Sequence, residues 1–287
     1  MTEPSSTPTG VYRLTSIARP VDPRYPTNRA LLVVVPLLAV LSVGLSGLLG
    51  LDGGALSVAL LSVLTTFAAW AVTRELAPDD DAAAFLALAL AWMAYLFFAM
   101  DSVLLPFVVL FLVRIVNRST GLPARPLDTF SVLGLCIWAA ITLEQSLILL
   151  LAAAAFSLNA TLKEPQRYHL LAAALCLAVF GWLVATDHPV MSGYLTIRDW
   201  TLIGALAAAN FWVVRQNRIP ASVCDVFAKP LDGSRVNAGL LLGFLLGLQA
   251  LLTDGRSAWL ETPVWACLLA VPLSLFARHL QRLLSRW

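Results

Sequence analysis

The residues with the densest chemical potential stand together at Arg74-Glu75-Leu76-Ala77-Pro78-Asp79-Asp80-Asp81. Hard cations such as Mg²⁺ take several carboxylate oxygens, so three aspartates beside Glu75 could hold a metal against a diphosphate. That chemistry needs a second acidic loop facing the first. The connection at the matching place, Lys163-Glu164-Pro165-Gln166-Arg167-Tyr168-His169, has no such cluster. The plainer reading is a run of aspartates capping a helix that opens after Pro78. Arg74, Glu75, Asp79, Asp80 and Asp81 stay candidates for binding a substrate at a membrane surface. Arg114 and Arg118 join them from Arg114-Ile115-Val116-Asn117-Arg118, and Arg114 lies one turn from a helix end, where it can snorkel.

Other reactive types are sparse. His169, His188 and His279 all fall at helix ends and form no HxxxH or HExxH pattern. Asp187-His188-Pro189 reads as a turn. The four cysteines, Cys136, Cys176, Cys224 and Cys267, form no CxxC and behave as small apolar residues. No GxSxG nucleophile motif occurs. No metal or cofactor is expected.

The elements that must position these groups follow from composition. Of 287 residues 59% are hydrophobic and 13% charged, with a mean hydropathy of +0.82. Soluble domains carry about 25% charged residues, so a soluble enzyme and a nucleic-acid binder are excluded. Apolar runs lie at 30–51, 55–73, 82–100, 102–116, 129–143, 146–162, 169–186, 200–214, 236–252 and 263–276. The expected fold is therefore an all-α polytopic membrane protein of about ten transmembrane helices. Only Glu144-Gln145 separates the fifth and sixth runs. A single helix there would be about 50 Å long against a hydrocarbon core of about 30 Å, which favours a tight hairpin. Ten spans also place seventeen of the nineteen Lys and Arg on one side, leaving Arg198 and Arg256 on the other. By the positive-inside rule both termini are cytoplasmic, in a cell-membrane protein. Residues 1–29 read as a retained cytoplasmic tail, 30–278 as the membrane domain and 279–287 as a short basic cytoplasmic tail. Lysine occurs only at Lys163 and Lys229, an arginine bias that points to a GC-rich prokaryotic genome.

A short pattern recurs before the first, fifth and ninth runs: Ala18-Arg19-Pro20-Val21-Asp22, Ala124-Arg125-Pro126-Leu127-Asp128 and Ala228-Lys229-Pro230-Leu231-Asp232. Other landmarks keep step with it: outer acids at Asp52, Glu144 and Asp254, acids at Asp101 and Asp187, and Arg114…Asn117-Arg118 against Arg215…Asn217-Arg218. Units of about 18–123, 124–227 and 228–287 would hold four, four and two helices, all in one orientation. Asp22, Asp128 and Asp232 are expected to cap the helices that follow. Gly239, Gly243 and Gly247 form a close-packing face, inside the bundle or between two copies of the chain.

No Asp, Glu, Lys or Arg falls at the middle of a run, and Asn210 is the main polar exception. Intramembrane charges mark proton and ion pathways, so a carrier with a midplane carboxylate is disfavoured. The expectation is a transporter or permease-like protein for an apolar or weakly polar solute, using Trp92, Trp138, Trp182, Trp212 and Asn210. Its partners would be the bilayer and a small solute or lipid, with no nucleic acid. The rivals are a membrane-embedded enzyme on a lipid-linked substrate and a scaffold subunit of a membrane complex.

Overall fold

The computed structural model describes residues 10–51, 53–98, 103–216, 220–261 and 263–285. Asp52, Asp101, Asn217 and Arg218, named above for the repeat, lie outside the described residues. The helices are α1 (Pro26–Leu49), α2 (Ala55–Leu76), α3 (Asp81–Phe98), α4 (Leu104–Asn117), α5 (Pro126–Thr142), α6 (Leu147–Thr161), α7 (His169–Ala185), α8 (Ile197–Gln216), α9 (Gly233–Asp254), the single turn α10 (Ala258–Glu261) and α11 (Pro263–Leu284). Each apolar run has become a helix, and the described residues contain no strand beyond one isolated bridge, Val223 to Pro230. The fifth run does end in a hairpin: Glu144 takes a left-handed conformation with φ of 53°, and α6 starts three residues later.

Among the described residues, five helices are long and apolar enough to cross a membrane: α1, α2, α3, α9 with its continuation to Ser257, and α11. Helices α4 to α7 are apolar but shorter, at 14 to 17 residues. α2 is the central stave, touching α1, α3, α4, α9 and α11, and α4 is enclosed by α2, α5, α6 and α9. Small residues permit the close approach: Ala68, Ala69 and Ala71 of α2, and Ala83, Ala84, Ala87 and Ala91 of α3, are all buried. The outside is apolar as well. Leu32, Val33, Leu37 and Val40 of α1 and Leu171, Leu175 and Leu177 of α7 are exposed. An apolar exterior around a close-packed interior is the pattern of a bundle whose surrounding solvent is hydrocarbon.

Two segments extend the bundle beyond the apolar runs. The tail before α1 packs onto the bundle: Thr15 and Ser16 reach Asp128, and Thr120 Oγ1 donates to the Ser16 carbonyl at 2.7 Å. At the other end α11 continues to Leu284, so that 279–284 is helical. Its last turns are polar, which ends the hydropathy run but not the backbone hydrogen bonding.

Candidate functional site

The ends of α2, α4, α6 and α11 and the starts of α3, α5, α7 and α9 meet at one end of the bundle, together with residues 10–25 and the α8–α9 loop. Three polar centres occupy this layer.

Glu75 is the first. Its side chain is 1% exposed, and Oε1 accepts from Arg19 Nη1 and Arg114 Nε, both at 3.0 Å, and from Ser119 Oγ at 3.2 Å. Its carbonyl accepts from Asn117 Nδ2 at 2.8 Å, while Oε2 is buried with no hydrogen-bond partner among the described residues. Arg19 forks onto Asp225 at 2.6 and 2.8 Å, joining the N-terminal segment, α2 and the α8–α9 loop. Burial works against the Arg19 charge, but Glu75 and Asp225 outweigh it and hold the guanidinium above its ordinary value. Arg114 does not snorkel: its side chain is 10% exposed and donates to Glu75 and to the Ile17 carbonyl. Acceptors supplied by the protein replace the water it would have reached.

The acidic loop is the second centre. Its three aspartates fan apart to different partners. Asp79 accepts from the Ala221 and Ser222 N–H groups at 2.8 and 2.7 Å and from the Ser222 hydroxyl, pinning the α8–α9 loop. Burial pushes the Asp79 carboxyl up, but these donors and Arg278 outweigh it and hold the group below its ordinary value. Asp80 caps α3 through Ala83 N at 3.0 Å and takes Ser274 Oγ at 2.9 Å and Arg278 Nη2 at 2.5 Å from α11. Asp81 pairs with Arg74. A cavity of about 20 Å³, room for one water, lies between Asp79, Asp80 and Arg278 on one side and Val213, Val271 and Leu275 on the other.

The third centre is built on Asn159, fully buried near the end of α6. Its Oδ1 accepts from Arg118 Nε and Arg235 Nη1, both at 3.0 Å. Its Nδ2 donates to Gln166 Oε1 and His169 Nδ1, both at 2.9 Å. With Nδ1 accepting, the His169 Nε2–H faces Thr129 Oγ1 at 2.9 Å. Arg235 also donates to the Val116 and Lys163 carbonyls at the ends of α4 and α6.

Of the residues singled out in the sequence, the structure unites Glu75 and Arg114 directly. Arg74, Asp79, Asp80 and Asp81 flank that pair, Arg118 belongs to the third centre, and Asn210 stands apart, donating to the Leu206 and Leu268 carbonyls. The motif aspartates differ from one another. Asp232 caps α9 through Ser234 N, and Asp128, at the third position of α5, accepts from Arg125 N. Asp22 stands ahead of Tyr25, the residue that precedes α1, and binds Arg24, because a turn at Pro23-Arg24, closed by Tyr25 N donating to the Asp22 carbonyl at 3.2 Å, separates it from the helix. Trp138 and Trp182 point outward, each 58% exposed.

Arg19, Asn159, Asp225 and Arg235 were missed by sequence reasoning. Asn159 offered the same signal as Asn210, a polar amide inside an apolar run. Arg235 borders the ninth run, but α9 begins two residues earlier and carries it into the interior.

The opposite end is also tied. Gln145 Nε2 donates to Asp254 and Gln249 Nε2 donates to Gln145 Oε1 at 2.8 Å. Ser192 Oγ reaches the Thr253 carbonyl at 2.6 Å. Asp187 has φ of 61° in the turn after α7.

No protein-family model, curated protein or solved structure matches the chain.

Proposed function

We propose that the chain crosses the membrane ten times with both termini in the cytoplasm, and that it is a transporter or permease-like carrier of an apolar or weakly polar solute. Helix length is compatible with ten spans. At 1.5 Å per residue α4 covers about 21 Å, less than a 30 Å core. However, α4 is enclosed by other helices, so protein and not lipid meets its ends.

The observation that carries the transport reading is the Glu75–Arg19–Asp225 latch, in which ion pairs hold three separate segments over the end of the central helix. A second polar latch, Gln145–Gln249–Asp254, holds the far end. The Arg19 arm of the first latch is the part that meets water, with Arg19 24% and Asp225 26% exposed, so that this pair exchanges for water at small cost, unlike apolar packing. Between the latches, α9 presents Gly239, Gly243 and Gly247 to Asn117, Leu76 and Trp265, a smooth face along which helices can shift. Opening one latch at a time gives alternating access. The acidic loop supports this reading over diphosphate chemistry, since all three of its aspartates already hold other elements of the chain in place.

The test uses the full chain without its native cysteines, carrying Thr66→Cys in α2, in oriented vesicles with membrane-impermeant maleimide. Glu75→Gln should raise labelling from the cytoplasmic side and Gln145→Ala from the outer side. A site that stays unlabelled in both variants, or reacts equally from both sides at once, ends the carrier reading.

A further inference from the structure

We propose that Arg118 and Arg235, joined through Asn159, form a receiving site for a phosphate-type anion at the corner where α4 and α6 end and α9 begins, with Glu164 as its exchangeable cover.

Arg118 and Arg235 are 8% and 4% exposed, and both guanidinium groups donate to one neutral amide oxygen, Asn159 Oδ1. Buried charges are ordinarily matched by a buried opposite charge, because desolvating an ion costs several kcal/mol. The first centre obeys this rule, with two arginines against Glu75 and Asp225. The third does not. Among the described residues, the carboxylate paired with Arg118 is Glu164, whose side chain is 83% exposed and whose Oε2 stands 3.7 Å from Arg118 Nη1. Asp232 is occupied at 3.8 Å by Lys163. Arg235 is eased by the Val116 and Lys163 carbonyls, which carry only the partial charge of helix ends.

Arg118 has no such help. Its Nη2 is buried and has no hydrogen-bond partner among the described residues, although each guanidinium N–H ordinarily finds one. Arg118 also caps α4 in a left-handed conformation, φ 50°, and its Nε bond to Asn159 Oδ1 anchors the side chain. Nε of the guanidinium fork is therefore committed to Asn159, Nη1 faces the solvent-exposed Glu164 carboxylate, and Nη2 is left over. A phosphate oxygen pair matches that fork bidentately and carries the missing charge. Glu164, exposed and at a distance too long for a strong bond, is displaced at small cost.

The ligand chemistry has two sources: the phosphodiester of an anionic lipid at the membrane surface, and a free phosphate from the aqueous side. The full chain purified in detergent is melted with increasing inorganic phosphate, against chloride at equal ionic strength. In a second series it is melted in mixed micelles of phosphatidylglycerol, against phosphatidylcholine. A saturable rise in melting temperature with inorganic phosphate supports a site open to the free anion, and a rise with phosphatidylglycerol alone supports the lipid headgroup. In either case Glu164→Gln lowers the half-saturating concentration by up to about five-fold, the worth of one exposed ion pair. Arg118→Gln raises it about ten-fold or more, the worth of a hydrogen-bonded charge. Should Arg118→Gln fail to fold, Glu164→Gln decides alone, since its side chain is solvent-facing. No saturable shift with either probe, or an unchanged half-saturation in Glu164→Gln, overturns the proposal.

Discussion

Gly239 of α9 lies directly against Asn117 of α4: a methyl group on Gly239 would meet Asn117 Oδ1 at 2.2 Å. The same asparagine donates to the Glu75 carbonyl at 2.8 Å, so the glycine sets how closely α9 approaches the Glu75 centre. Gly239→Ala is expected to destabilise the bundle by about 1–3 kcal/mol through overpacking. Gly134→Ala in α5, where nothing lies within 4 Å, should be neutral or stabilising by up to about 1 kcal/mol. Thermal melts of the two variants in detergent check the contrast, and equal effects would refute it.

Glu75→Gln removes the one carboxylate shared by Arg19 and Arg114 and leaves Arg114 buried without an anion. A loss of about 3–5 kcal/mol is expected. Arg19→Ala should cost less, because the Arg19 side chain is 24% exposed and its pairs are partly screened by water. The order of the two melting temperatures is the measurement, and Arg19→Ala melting lower than Glu75→Gln would contradict the central place given to the carboxylate.

Asp80→Ala removes the cap of α3 and the partner of Arg278 together. The cap alone is worth about 1 kcal/mol. Losing the buried, charged acceptor adds about 2 kcal/mol. Asp80→Asn retains an acceptor for Ala83 N and Ser274, so it should recover about the cap contribution. Denaturation in a graded detergent series reads both.

Asp79 gives the pH dependence. Its folded carboxyl is held below the ordinary value of 3.8 by Ser222, Ala221 and Arg278 despite its burial. A depressed folded value means the stabilisation is complete above the unfolded value and is lost as pH falls through the folded one. Wild type should therefore hold the α8–α9 loop at neutral pH and release it below about pH 3.8. Asp79→Asn should lose most of this pH dependence. Limited proteolysis of the loop between pH 7 and 3 checks it, and identical profiles for the two proteins would count against the Asp79 contact.

Much of the architecture was legible because hydropathy is a local property. Each apolar run became a helix within a few residues, except where polar side chains extend a helix beyond its apolar stretch, as Arg278, His279 and Arg282 do in α11. The capping aspartates Asp80 and Asp232 were legible for the same reason. Pairings across the bundle were not. Arg19 meets Asp225 across 206 positions and Arg235 meets Asn159 across 76. Nothing in either neighbourhood names the partner, and Arg114 read alone suggests snorkelling although Glu75 holds it inside.

The Asp80–Arg278 pair also constrains the order of biogenesis. Asp80 is synthesised 198 residues before its partner. At about 5–20 residues per second, its carboxylate waits roughly 10–40 s at the mouth of the bundle without that cation. The first helices therefore stand as an unfinished wall, and α11 arrives as the closing stave, packing against α2, α3 and α8 to neutralise the waiting charge. A chain stopped within α9 would leave Asp80 without Ser274 and Arg278, its partners from α11.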